Sequence, residues 1–166
     1  MRISTILLVG ALVACSKSKP PVTTPTPGGA RTSKADPAHA APPPSFVRTT
    51  AEAPATRTID VREGLSHQQA MRGLTDALSQ RYEVDVVDPR AGFAMTTWQA
   101  SLVREGTPDL RYRTRFTARF TGDDWRSLQV QSEARWSRGE EADVGYDLAQ
   151  LDSVTSDLRA RLGKKP

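Results

Sequence analysis

Arginines stand at Arg111, Arg113 and Arg115, every second position, and again at Arg119 after Thr117. A guanidinium is a planar fork that binds carboxylates and phosphates through two parallel hydrogen bonds. A row of them could grip a phosphate, a carboxylate or an acidic protein surface. The same spacing also suits a plain solvated sheet face. There Arg111 or Arg113 would pair across strands with Glu133 for a fraction of a kcal/mol, and the charges would discourage edge-to-edge association.

Other chemistry-bearing residues are sparse. His67 is the only histidine beyond the N-terminal third; it sits at a helix start with no nucleophile in view and reads as structural. Glu140, Glu141 and Asp143 could offer oxygens to a hard cation, but their spacing matches no calcium loop, so a solvated acidic loop is expected. The chain has no Gly-x-Ser-x-Gly elbow, no phosphate-binding loop and no paired-carboxylate signature. With a single Cys, a disulfide framework and a Cys-based zinc site are excluded. The expectation is a non-enzymatic protein with no catalytic residue, no cofactor and no metal. Trp98 and Trp136 fall on apolar registers and read as core. Trp125 lies outside them, beside a turn, and is expected to be exposed, making it a candidate partner contact together with Arg111, Arg113, Arg115 and Arg119.

The 166 residues carry 23 Lys and Arg against 19 Asp and Glu, a formal charge of +4. That excess is not spread evenly. Residues 16–57 hold six basic and two acidic groups, whereas residues 58–166 hold 16 basic and 17 acidic groups. A nucleic-acid partner would need a basic folded part and is therefore not expected. Nine of the twelve prolines lie between Pro20 and Pro54. With few apolar side chains to offset its ordering entropy, the stretch from Cys15 to residue 57 reads as a disordered tether. Within it, Pro42-Pro43-Pro44-Ser45-Phe46 is either plain spacer or a docking motif.

Ahead of the tether, Arg2 precedes a twelve-residue apolar run, residues 3–14, that ends at the single cysteine. The run is shorter than the about 20 residues a spanning helix needs and has the form of a secretory signal. Leu12-Val13-Ala14-Cys15 resembles the lipobox of bacterial lipoproteins. That resemblance implies a signal peptide over 1–14, cleavage before Cys15, and diacylglyceryl and acyl chains on the new terminus. Ser16, where Asp would favour inner-membrane retention, implies the outer membrane. Two or more acyl chains make such an anchor stable.

Residues 58–166 carry the periodicities of one α+β domain. Thr58–Val61 reads as a strand. Ser66 and Gln69 form a capping box for a helix over 67–81, in which Gly73 marks close packing on a sheet. Strands follow over 82–87, 93–103, 110–120 and 128–136, and a last helix starts at Asp147 with Leu148, Leu151, Val154, Leu158 and Leu162 on one stripe. Even-numbered residues of the 110–120 and 128–136 strands form the apolar face, so the loop joining them must hold an odd number of residues, three or five, with Gly122 supplying the turn. The resulting order is β-α-β-β-β-β-α, an antiparallel sheet of about five strands with both helices on one face.

Gly92-Phe93-Ala94-Met95-Thr96-Thr97-Trp98, followed by Leu110-Arg111-Tyr112-Arg113-Thr114-Arg115, resembles a pattern in small outer-membrane lipoprotein domains. It is similar to the C-type (BamC-like) lipoprotein of the barrel-assembly machine, whose domains are helix-grip-like. The resemblance implies an envelope lipoprotein whose domain is a protein-interaction or assembly accessory unit with an envelope protein as partner. The alternative expectation is a tethered domain that holds a lipid or small molecule between helix and sheet, for which a cavity of about 300 Å³ or more would be needed.

Overall fold

Two strands with apolar residues at every second position form the centre of the molecule. In this computed structural model, which describes residues 41–49 and 55–164, they are β8 (Tyr112–Thr121) and β9 (Ser127–Arg138). They pair antiparallel from Tyr112↔Trp136 to Thr121↔Ser127, so even residues meet even residues throughout. The connection is the five residues 122–126, with Gly122 at φ +77°, as the matching of the two apolar faces requires.

Upstream lie β1 (Phe46–Arg48), β2 (Ala55–Asp60), α1 (His67–Ser79), β3 (Val84–Asp88), β4 (Phe93–Thr96), β5 (Gln99–Ala100), β6 (Val103–Arg104) and β7 (Thr107–Pro108); downstream are β10 (Glu141–Asp147) and α2 (Leu148–Leu162). The fold is α+β, with an antiparallel sheet ordered β1-β10-β9-β8-β4-β3. Strand β9 is long enough to serve two neighbours on one edge, β2 along residues 127–132 and β10 along 134–138. Strand β8 likewise serves β4 and β5. With β6 and β7 forming a separate ribbon, the strands outnumber the five expected.

The extra strands have identifiable origins. The single strand expected over 93–103 is interrupted. Ala94 pairs with Ala118 but Gln99 pairs with Thr114, so one additional residue has entered between β4 and β5. The Thr96 hydroxyl closes the gap in the ladder, accepting a 3.0 Å hydrogen bond from the Phe116 N–H. Beyond this point the alternation is inverted, and Trp98 leaves the core face. Glu141 and Asp143, expected with Glu140 in an acidic loop, lie in β10, which is held by β9 rather than by any apolar run of its own.

The ordered domain also begins before residue 58. The Pro42–Pro44 segment turns into β1, with the Phe46 N–H donating to the Pro43 carbonyl at 2.9 Å. Phe46 meets the Tyr112 ring edge-on at 5.7 Å, and the Ser45 carbonyl accepts from the Leu148 N–H at the start of α2. Together with residues 55–57 of β2, this part of the expected tether belongs to the sheet. One phenylalanine and backbone pairing suffice, a signal too local for composition to register. Cys15 and the lipobox lie outside the described residues.

Both helices cover the same face of the sheet, as expected. Met71, Leu74 and Leu78 of α1 and Leu151, Val154, Leu158 and Leu162 of α2 pack on Ile59, Phe116, Phe120, Leu128 and Val130. The Ser66–Gln69 capping box forms reciprocally, and α1 ends at Ser79, two residues short of the expected 81. Gly73 allows close approach of α2 rather than of the sheet: a Cβ there would stand 2.7 Å from Leu162 Cδ2. On the same sheet face, Tyr112, Ala134 and Trp136 make a second small core with Phe46 and Leu102.

Candidate functional site

No described element covers the opposite face of β8 and β9. It is built from odd-numbered residues in opposed pairs: Arg113↔Arg135, Arg115↔Glu133, Thr117↔Gln131 and Arg119↔Gln129. The inverted register after Thr96 adds Trp98, which stands 4.7 Å from the Arg115 guanidinium and 4.7 Å from that of Arg135. The indole is thus flanked by two cations, each attracted to its π-system. Arg115 also holds Glu133 at 2.6 Å, while its Nε has no hydrogen-bond partner. The cross-strand pair expected for Arg111 or Arg113 is made by Arg115.

Charge along this face is uneven. Arg113 and Arg135 are directly opposite, an arrangement of like charges that destabilises a sheet. Neither faces a carboxylate among the described residues: Arg113 donates to the Leu110 carbonyl, and Arg135 has only Trp98. The next pair, Arg115–Glu133, is self-compensated. The Thr117–Gln131 pair is neutral. Arg119 then borders a hollow of about 220 Å³ with Phe93, Thr117, Gln129 and Gln131. The face carries two positive nodes separated by a compensated middle.

Two of the expected contact residues lie elsewhere. Arg111 precedes β8 and turns away from the row. Its guanidinium binds Asp109 at 2.8 Å and lies 5.2 Å from the Trp136 ring centre, on the helix side of the sheet. Arg104 binds the same carboxylate at 2.9 Å. Hydrogen bonds from the Arg111 side chain, helped by its backbone N–H and by Arg104, push the Asp109 carboxyl down to about 2.

Trp125 is buried, contrary to the expectation of exposure. Its ring is stacked between His67 at 4.2 Å and Phe120 at 4.8 Å. The residue adopts φ +52°, which turns the indole back under the β8–β9 loop instead of outward. Trp136 is core, as expected, and Trp98 is not.

His67 serves as a stacking partner for Trp125. Asp143, from the acidic cluster, is bound by Arg48 at 2.7 Å and Arg138 at 3.0 Å. Among the described residues no group of His, Cys, Asp or Glu is arranged to hold a metal ion. The Tyr112 phenol and Asp147 carboxylate meet inside the second core, where burial, and then Asp147 itself, raise the Tyr112 pKa above its ordinary value. A groove of about 610 Å³ lies outside the core, between α1 residues such as Met71 and Arg72 and Val87 and Pro89.

Arg135 and Trp98 are the functional candidates that the stripe alone does not reveal. Arg135 was accessible in principle, because the five-residue loop fixes its register opposite Arg113. Trp98 was not, because its placement depends on a bulge that leaves no mark in the alternation.

No protein-family model matches the chain, and no curated protein matches it.

Proposed function

We propose that this chain is a lipid-anchored lipoprotein of the outer membrane whose α+β domain is a non-enzymatic docking module. In this reading Cys15 carries the acyl chains, the Pro-rich segment gives the domain reach, and the open sheet face receives an acidic surface of an envelope protein. The observation that carries the reading is the Arg113–Arg135 pair. Two like charges are opposed across the central strands without a carboxylate facing either, and an anionic partner would relieve their repulsion. The lipobox-like Leu12-Val13-Ala14-Cys15 supports the anchor. The similarity of residues 92–98 and 110–115 to barrel-assembly lipoprotein domains supports an assembly accessory role.

The alternative, a ligand held between helix and sheet, has the groove of about 610 Å³ between α1 and the edge strand β3 in its favour, but the interface between the helices and the centre of the sheet is filled. Leu74, Leu78, Phe116, Leu128, Leu151 and Leu158 fill that interface with at most 1% exposure. The test is site-specific photocrosslinking in cells from position 117, between the two positive nodes. A discrete protein adduct mapping to an acidic segment is expected, and it should vanish in the Arg113→Glu, Arg119→Glu, Arg135→Glu triple variant. An adduct unchanged by charge reversal overturns the docking face. Cys15→Ser should abolish fatty-acid labelling and release the protein from membranes; membrane retention of that variant overturns the anchor.

A further inference from the structure

The docking face reads as a clamp with a measurable pitch. Arg113 and Arg119 are six residues apart on one strand, about 20 Å at roughly 3.4 Å per residue. Six is an even number, so both side chains leave the sheet on the same side. Arg135 joins the first node from β9. Its guanidinium is braced on Trp98, which reduces the rotamer freedom lost when the fork engages an anion. The middle of the face offers no free charge, because Arg115 is committed to Glu133 and the next pair is Thr117–Gln131.

We propose that the occupant is an extended acidic polypeptide segment lying along β8 and β9, with one carboxylate in the Arg113–Arg135 clamp and a second at Arg119. An extended segment has nearly the same rise per residue as the strands beneath it, so its two acidic residues stand six positions apart. At an odd spacing one carboxylate would point away from the sheet. At a spacing of two, the second carboxylate would fall over the Glu133 ion pair and be repelled. The hollow beside Arg119, bordered by Phe93, Thr117, Gln129 and Gln131, gives the second carboxylate hydroxyl and amide neighbours as well as a cation. This inference rests on the reading of the open face as a protein-docking surface and adds the form of the partner to it.

The test uses the purified full-length chain and synthetic Ser/Thr peptides carrying two glutamates at spacings of six, five or two residues. Binding is followed by tryptophan emission, in which Trp98 is the responsive indole and Trp125 and Trp136 are buried. At low ionic strength the six-residue spacing should bind most tightly, and the peptide with two glutamines should not bind. Arg135→Gln and Arg119→Gln should each weaken the six-spaced peptide about tenfold, the loss of one charge-assisted contact. Arg135→Lys should recover only part of that affinity, because an ammonium keeps the charge and loses the fork. Arg72→Gln, on α1, should change nothing.

Equal affinity at all three spacings overturns the clamp, as does full rescue by Arg135→Lys. Binding to phosphatidylglycerol vesicles that is lost in Arg135→Gln, with no peptide binding, assigns the face to the membrane and also overturns it. The two readings fail separately. If charge reversal abolishes the cellular crosslink but the peptides show no spacing preference, the docking face stands and the pitch does not.

Discussion

The Tyr112 phenol donates a 2.7 Å hydrogen bond to the Asp147 carboxylate, joining β8 to the first turn of α2 across 35 residues of sequence. Both groups are buried. The same carboxylate accepts from the Gln150 N–H at 2.9 Å and so caps α2, while the Asp147 N–H donates to Ser132 Oγ. One acid therefore ties the end of the sheet, the helix start and the second small core together.

Removing the phenol leaves a carboxylate oxygen buried without its donor. Tyr112→Phe should lower the unfolding free energy by about 1–3 kcal/mol at neutral pH, measured by urea denaturation. The pH dependence has a definite sign. Tyr112 titrates above its ordinary value of 10.0 when folded, so its contribution is complete below pH 10 and is lost as pH rises beyond it. The wild-type protein should weaken above pH 10 and the Phe variant less steeply, with the residual slope due to Tyr82, which burial also raises. Parallel pH profiles would refute the account.

Gly92 is required twice over. Its φ is +62°, and a Cβ there would stand 2.8 Å from Trp125 Cζ2 and 3.1 Å from Phe120 Cβ. Gly92→Ala should cost about 2–4 kcal/mol, combining left-handed strain with displacement of the Trp125 stack. Gly64 shares the positive φ, at +83°, but a Cβ there meets nothing within 4 Å. Gly64→Ala should therefore cost only about 1–2 kcal/mol. Thermal melts of the two variants give the comparison, and equal losses would show that the indole contact does not matter.

The folded unit extends upstream to Phe46. Limited proteolysis should yield a resistant fragment that retains Phe46–Arg48, and Phe46→Ala should cost about 2 kcal/mol through lost contact with Tyr112. A chain starting at Thr58 would lack β1 and half of β2 and should melt lower than one starting at Ala41. A fragment beginning near Thr58 with undiminished stability would restore the later boundary.

Several of these features were legible from residue order alone, and for one reason: they depend on short-range periodicity. The alternation of Leu110–Phe120 and Leu128–Trp136 determined which face is buried, and parity between the two strands determined the odd loop length that Gly122 completes. Ser66, Gln69 and Asp147 marked both helix starts through capping chemistry, which is complete within four residues. The α+β class with both helices on one side follows from those stripes, because each must be buried and only one sheet face is apolar.

What tertiary structure decided is long-range. The extra residue between Ala94 and Gln99 inverts the register and carries Trp98 from the core face to the arginine face, where it sits between Arg115 and Arg135. Local alternation is equally good on either side of the bulge, so nothing nearby announces it. Arg111 was drawn away by Asp109, and Trp125 was turned inward by a left-handed backbone and the space over Gly92. Strand β10 exists because β9 has an edge to offer, and β1 because β10 then offers its own, both with little apolar pattern of their own. Periodicity determines which way a side chain points within an element; only the packing of distant elements determines what it meets there.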